Sequence, residues 1–410
     1  MSDQTNTPHR AWYFLLCYLA CSAYTLDFVL RSALQPQLMA IYNLSASELV
    51  YYYNLVYAGL LVGVIGFGCL VDMINYRTCF IWIWLAQILG LVKVFAISPV
   101  VQSAPMAHQL KVGMFLMGIS EGGIYAVIHP LLALAFNKPN ESKAKIMNYL
   151  HTNWPLIAIF GISLQQIIVA NHFNWYWQVY ALLIFPSLYL LTAMMLPFPK
   201  QSYTHRIPLM SRIKSILRPG YLLLFFCMVV TVSIEHSPLS WVRRLIDTDN
   251  RINLFYFIIF AHCFQATARI LVGTMFRYIS PPGLLCFAAI ACVISLFMIS
   301  FTHHHNMVLI ASAIFVFCIV WFWPTFIGIV ADRYPLSGGI GMAVMNSGGF
   351  LAQIYIIPVL SKLPQQENLK DAFLTLAWYG VLIFILLATV HTFFRSQGGY
   401  KVFASADRSL

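Results

Sequence analysis

Charge is what this sequence has least of. Only 9% of its 410 residues are Asp, Glu, Lys or Arg, against about 25% in an ordinary soluble domain. A fold exposed to water on all sides is excluded. Segments of about ten residues with alternating polarity are also missing, which excludes a membrane barrel. No cleavage site follows the first apolar run, so that run reads as a span and not as a removed signal peptide. The nine cysteines are odd in number and show no metal-ligand spacing, so neither a disulfide framework nor a metal site is expected. No nucleotide-binding loop, nucleophile elbow or zinc motif occurs, which argues against ATP-driven transport, against a hydrolase and against any cofactor; the chain does not read as an enzyme.

Apolar length is what the sequence has instead. It is 60% hydrophobic, with a mean hydropathy of +0.77. Twelve apolar runs are long enough to cross a hydrocarbon core of roughly 30 Å as helices: 12–35, 49–71, 78–98, 109–136, 146–169, 176–197, 219–241, 252–276, 283–301, 306–330, 339–361 and 372–394. The expected class is an all-α integral membrane protein whose partner is the lipid bilayer. The longest internal polar connection, 198–218, divides the spans into bundles of six, 1–197 and 219–410.

The net charge of +11 does not indicate nucleic acid, because the basic residues sit in short loops between spans. Fifteen Lys or Arg, among them Lys138, Lys200, Arg206, Lys401 and Arg408, fall on the side of the two termini. Six, among them Arg243, Arg244 and Arg251, fall on the other. The bias predicts that both termini and the 198–218 loop are cytoplasmic; the expected location is a bacterial inner membrane. Three consecutive histidines, His303 to His305, read as an outer loop, since neighbours in a row do not easily ligate one metal.

Charges inside the spans are the candidates for function, since an acid at mid-membrane depth costs about 2.5–3.5 kcal/mol or more. Spans 1, 4 and 7 hold one acid each: Asp27, Glu121 and Glu235. Asp27 and Arg31 are four residues apart, so they either neutralise each other locally or leave Asp27 to titrate in a cavity. Glu121 either carries a proton or is held by a neighbour such as Lys93 of span 3. Arg31, Lys93 and Arg269 are intramembrane cations. His129 of span 4 and His151 of span 5 would reach similar depth on antiparallel helices rising 1.5 Å per residue. They could share a proton or bind hydroxyls, or each be satisfied separately. Gln165, Gln166, Asn346 and Gln353 could bind hydroxyls or lock helices together.

Between spans 2 and 3 the chain reads Gly68-x-x-x-Asp72-x-x-x-x-Arg77, with Arg77 the expected countercharge for Asp72. This pattern resembles the loop motif of the major facilitator superfamily, a large group of secondary transporters. Met73 and Asn75 stand where that family usually has a basic residue and a glycine. Glu235-His-Ser-Pro-Leu-Ser-Trp241 and Trp321-Phe-Trp-Pro-Thr-Phe-Ile-Gly328 resemble its sugar-transporting branches. His129-Pro-Leu and Asn148-x-x-His151-x-x-Trp-Pro155 are similar to fucose and glucose proton symporters.

The resemblance implies a monomer moving a small polar solute, a sugar or related metabolite, together with protons by alternating access. Glu121, Asp27 and Glu235 would carry the protons. His129, His151, Trp154, Gln165, Trp241, Gln265, Arg269, Trp321, Asn346 and Gln353 would bind the solute. Gly68, Asp72 and Arg77 would form a conformational gate. Two alternatives stay open: an organic-anion or drug carrier using the buried cations, and a membrane sensor that binds without transporting.

Overall fold

A computed structural model describes residues 9–95, 106–137, 142–198, 207–247, 254–302, 304–360, 362–366 and 368–400. Lys138, Lys200, Arg206, Arg251, His303, Lys401 and Arg408 lie outside the described residues, as do the side chains of Arg243 and Arg244. All regular structure among the described residues is helical. Among the described residues, eleven helices are long and apolar enough to cross a membrane. A bent pair, Leu209–Ile216 followed by Pro219–Glu235 and turned through 65°, makes up to twelve spans if it is taken as one. The 198–218 connection, read as a polar linker, therefore carries a helix of its own, Leu209–Ile216. The protein is a multi-pass integral membrane protein. Large apolar side chains that would be costly in water, such as Trp12, Val62, Leu89 and Met195, are exposed, as suits helices whose outer faces meet hydrocarbon.

Several spans are interrupted, and proline accounts for two of the breaks. Span 5 is two helices, Lys143–Leu150 and Asn153–Ala170. Span 10 is likewise His305–Ile319 and Phe322–Arg333. Pro155 and Pro324 stand early in the resuming segments, where a missing N–H does least harm. Span 11 runs as Gly338–Leu351 and then loosens into a π turn, Ala352–Ile356.

The described contacts gather the chain into two compact units. The first comprises 1–137, 156–212 and 336–347; the second comprises 138–155, 213–335 and 348–410. In the first unit, span 2 (Ala46–Leu70) opens with a capping box in which Ser45 and Glu48 satisfy each other's backbone N–H groups. It then packs along span 4 (Met106–Ala135) through interleaved small residues. A Cβ on Gly59 or Gly63 would strike the span 4 backbone at Phe115 and Ile119, and one on Gly118 or Gly122 the span 2 backbone at Val56 and Leu60. Where lipid gives helices no hydrophobic reason to associate, such close approach is what joins them. It also fixes the rotation of span 4, and hence the direction of Glu121.

Gly122→Leu is expected to destabilise the protein by about 3 kcal/mol, because backbone cannot move aside for the added atoms. Gly66→Leu is the control, since nothing lies within 4 Å of a Cβ there. Thermal unfolding in detergent should separate the two. Equal melting temperatures would mean that the spans tolerate a wider spacing.

Candidate functional site

In the first unit, one guanidinium holds two acids. Arg31 NH1 donates to Glu121 Oε1 at 2.5 Å and to Asp27 Oδ2 at 3.3 Å. The three side chains are withdrawn from solvent, with Asp27 and Glu121 each 1% exposed. Asp27 Oδ1 has no hydrogen bond among the described residues. The local Asp27–Arg31 pair is therefore real, but it is half of the arrangement. Glu121 is met by Arg31 and not by Lys93, because the tight span 2–span 4 packing turns it towards span 1.

Glu121, Tyr125 and His129 follow at four-residue spacing and share one face of span 4. The Tyr125 ring meets Tyr24 edge-on at 4.9 Å. His129 Nδ1 lies 2.8 Å from the Tyr125 carbonyl and 3.1 Å from Asn346 Nδ2. A protonated Nδ1 donates to the Tyr125 carbonyl, and an unprotonated Nδ1 accepts from Asn346 Nδ2, so the two contacts call for opposite tautomers. His129 and Asn346 are thus brought together, and both are fully buried. Gln165 lies in the same unit, half-buried on its outer part of span 5.

The second unit holds His151, Trp154, Glu235, Trp241, Gln265, Arg269, Trp321 and Gln353. Glu235 Oε2 is buried without a hydrogen bond among the described residues, and Arg269 acts on this carboxylate electrostatically. Gln265 Oε1 lies 2.9 Å from His262 Nδ1. Arg269 donates NH1 to the His151 carbonyl and Nε to the Val320 carbonyl, the latter at 3.3 Å. Trp321 is buried and donates Nε1–H to the Ala268 carbonyl at 2.9 Å. Trp241 is 1% exposed, edge-on to Phe373. These two indoles are packed in helix contacts. Trp154 is half-buried, and Gln353 falls in the π turn of span 11.

The loop motif is organised differently from its reading in sequence. Asp72 Oδ2 accepts from Arg212 NH1 at 2.7 Å and from the Gly339 N–H at 2.9 Å. Gly338 has φ +61°, and a Cβ there would run into the Asp72 carboxylate. Asp72 therefore caps the positive end of helix Gly338–Leu351. Arg77 is not its countercharge. That guanidinium donates to the Ala193 and Leu196 carbonyls at 3.3 and 2.8 Å.

The second unit repeats the device with other residues. Asp332 accepts from Ser142 Oγ at 3.1 Å, from the Lys143 N–H at 3.2 Å and from Tyr400 OH at 2.9 Å. It thereby caps helix Lys143–Leu150. Sequence reasoning missed the roles of Arg212, Asp332 and Lys143. The available signal was an acid beside each loop with a glycine pair or a Ser-Lys helix start elsewhere, but nothing in the chain pairs them.

The sequence pattern of the Major Facilitator Superfamily matches residues 16–356. Among solved structures, a fucose:proton symporter of Escherichia coli superimposes with TM-score 0.73 at 15% identity, covering 94% of this chain and 98% of that one. A structure described as a Major Facilitator Superfamily transporter in the outward conformation gives TM-score 0.74 at 17% identity, covering 94% and 99%. A proton:xylose symporter bound to 6-bromo-6-deoxy-D-glucose gives 0.69 at 13% identity, covering 94% and 96%. At such identities the likeness is one of fold. Comparison with the curated proteins finds no match.

Proposed function

This chain belongs to the Major Facilitator Superfamily of transporters, and from that premise we propose that it is a proton-coupled carrier of a sugar or similar small polar metabolite. The observation that carries the proposal is the count of charges around Arg31. Two carboxylates share one cation, so the fully ionised cluster has a net charge of −1 in a region where unbalanced charge is costly. One bound proton makes it neutral. Asp27 and Glu121 both touch Arg31, so a proton arriving on either carboxylate changes the hold on the other. Movement between two access states can then be tied to proton uptake and release.

Two further features support a neutral solute over an organic anion. Of the intramembrane cations, Arg31 and Arg269 have donors engaged by protein oxygens. Amide, imidazole and carboxylate groups that suit hydroxyls are spread over both units: His129 and Asn346 in one, Glu235, His262 and Gln265 in the other. We keep the six-plus-six division at 198–218, a monomer and cytoplasmic termini in a bacterial inner membrane as parts of the same proposal.

The deciding test is a thermal-shift screen of the purified protein against L-fucose, D-glucose, D-xylose, polyols and organic acids at two pH values. A sugar that raises the melting temperature, and does so more at the acidic pH, is the expected result. A shift produced only by organic acids would transfer the proposal to the anion carrier.

A further inference from the structure

The connection between the two sets of spans exposes an apolar strip where it is helical. Helix Leu209–Ile216 turns about 100° per residue, which sorts its side chains into three sectors. Arg212, Ser215 and Ile216 fall in one and are buried. The Arg212 contact to Asp72 at 2.7 Å holds that sector against the protein. Leu209, Ile213 and Leu217 follow at four-residue spacing and, with Met210 beside them, form the second. Leu217 stays in register because its N–H still reaches the Ile213 carbonyl at 3.0 Å. Leu209 is 54% exposed, Met210 62% and Leu217 61%. Ser211 and Lys214 make the third sector, which is exposed and polar. The rotation that buries Arg212 therefore turns the apolar strip outward.

Such a strip would be costly in water, and the charge beside it says what covers it. Residues 198–218 contain Lys200, Arg206, Arg212, Lys214 and Arg218 and no Asp or Glu. An apolar sector with basic side chains at its edge suits a helix lying at the boundary of headgroups and acyl chains in an anionic membrane. The position agrees. Only Leu217 and Arg218 separate this helix from span 7, and the two arms differ in direction by 65°. Spans tilt on average about 20° from the bilayer normal, so the short arm runs nearer the membrane plane than the normal. Span 7, Pro219–Asp247, has 29 residues, enough at about 1.5 Å each for a hydrocarbon core of roughly 30 Å. The short arm is not needed for the crossing. Eight residues also make a marginal helix by themselves. Protein covers one sector, and lipid is the available cover for the second.

We propose that Leu209–Ile216 is an interfacial helix: Leu209, Met210 and Leu217 insert among the acyl chains of anionic phospholipid, and Lys214 meets the headgroups. The docking depends on neither the solute nor proton coupling. It is compatible with alternating access, because the break at Leu217 and Arg218 lets span 7 tilt with its own bundle while the helix keeps its place at the surface.

Hydrogen–deuterium exchange over residues 207–218 tests it, with the purified protein in nanodiscs of phosphatidylcholine alone or with phosphatidylglycerol added. Exchange should slow by roughly tenfold in the anionic nanodiscs, the scale expected of one or two basic side chains near an anionic surface. Lys214→Glu should cut that difference by half or more. Leu209→Gln/Leu217→Gln should speed exchange in both kinds of nanodisc, since these side chains contribute area in lipid. Equal exchange of the native protein in the two lipids overturns the proposal, and the strip would then await a second copy or another protein. A difference that Lys214→Glu leaves whole overturns it too, because the anionic lipid would be acting elsewhere. So does a double glutamine variant that exchanges like the native protein, since the strip would then lie outside the acyl chains.

Discussion

Arg31→Met is expected to be the most damaging single substitution in the first unit, lowering stability by about 3–5 kcal/mol. Methionine fills similar space and suits an apolar surrounding, so lost volume is not the cause. The cause is that two carboxylates, each 1% exposed, lose the cation they share. Pulling Asp27 or Glu121 towards water is prevented by the packing of spans 1, 2 and 4. Adding Asp27→Asn and Glu121→Gln to Arg31→Met removes both stranded charges, and most of the stability should return, since replacing a complete buried charge cluster is far milder than breaking one. Melting temperatures of the single and triple variants in detergent make the comparison. A single variant as stable as the native protein would mean that water reaches the cluster freely, and the charge-count argument for proton coupling would fall with it.

Glu121→Gln should have the largest effect on transport while leaving the fold in place. Glutamine keeps an oxygen for Arg31 NH1 and a side chain of the same length, so the 2.5 Å contact has a substitute. It cannot gain or lose a proton. A pH unit is worth about 1.4 kcal/mol, so a carrier coupled to one proton concentrates its solute about tenfold per unit of gradient. In proteoliposomes with an imposed pH gradient, the variant should equilibrate the solute found by the thermal-shift screen and exchange it across the membrane without concentrating it. Retained accumulation in Glu121→Gln would remove Glu121 from the coupling. Asp27→Asn under the same gradient would then ask whether the other carboxylate carries the proton alone.

Much of the architecture was legible in the chain. Of the twelve apolar runs, eleven appear among the described residues as helices long enough to span, and run 219–241 falls on the second arm of the bent Leu209–Ile216/Pro219–Glu235 pair. The candidate acids were legible for the same reason: Asp27 and Glu121 stand out against apolar neighbours. Their partners were not. Glu121 is 90 residues from Arg31, and Asp72 is 140 from Arg212. Arg77 was the natural countercharge for Asp72 by proximity along the chain, yet its guanidinium serves the carbonyls at the end of span 6. Lys93 was the neighbour named for Glu121, and Arg31 takes that place because the glycine contacts between spans 2 and 4 set the rotation of the helix. Trp241 and Trp321, candidates for solute binding by resemblance, lie in helix contacts, Trp241 edge-on to Phe373 and Trp321 bonded to the Ala268 carbonyl. Indole burial looks the same in sequence whichever surface covers it.

What the amino-acid sequence determined alone is therefore local: which stretches can live in lipid, and which acids are too costly to be there by accident. Each depends on composition over one span or on an i, i+4 spacing. The tertiary structure decided the partners. Arg31 joins Asp27 to Glu121, Asp72 and Asp332 each cap a helix from a distant part of the chain, and Arg269 donates to the His151 and Val320 carbonyls. The physical reason is that lipid leaves the faces of apolar helices nearly equivalent. Close backbone approach and the pairing of buried charge select among them, and both are properties of helices meeting, not of any one helix.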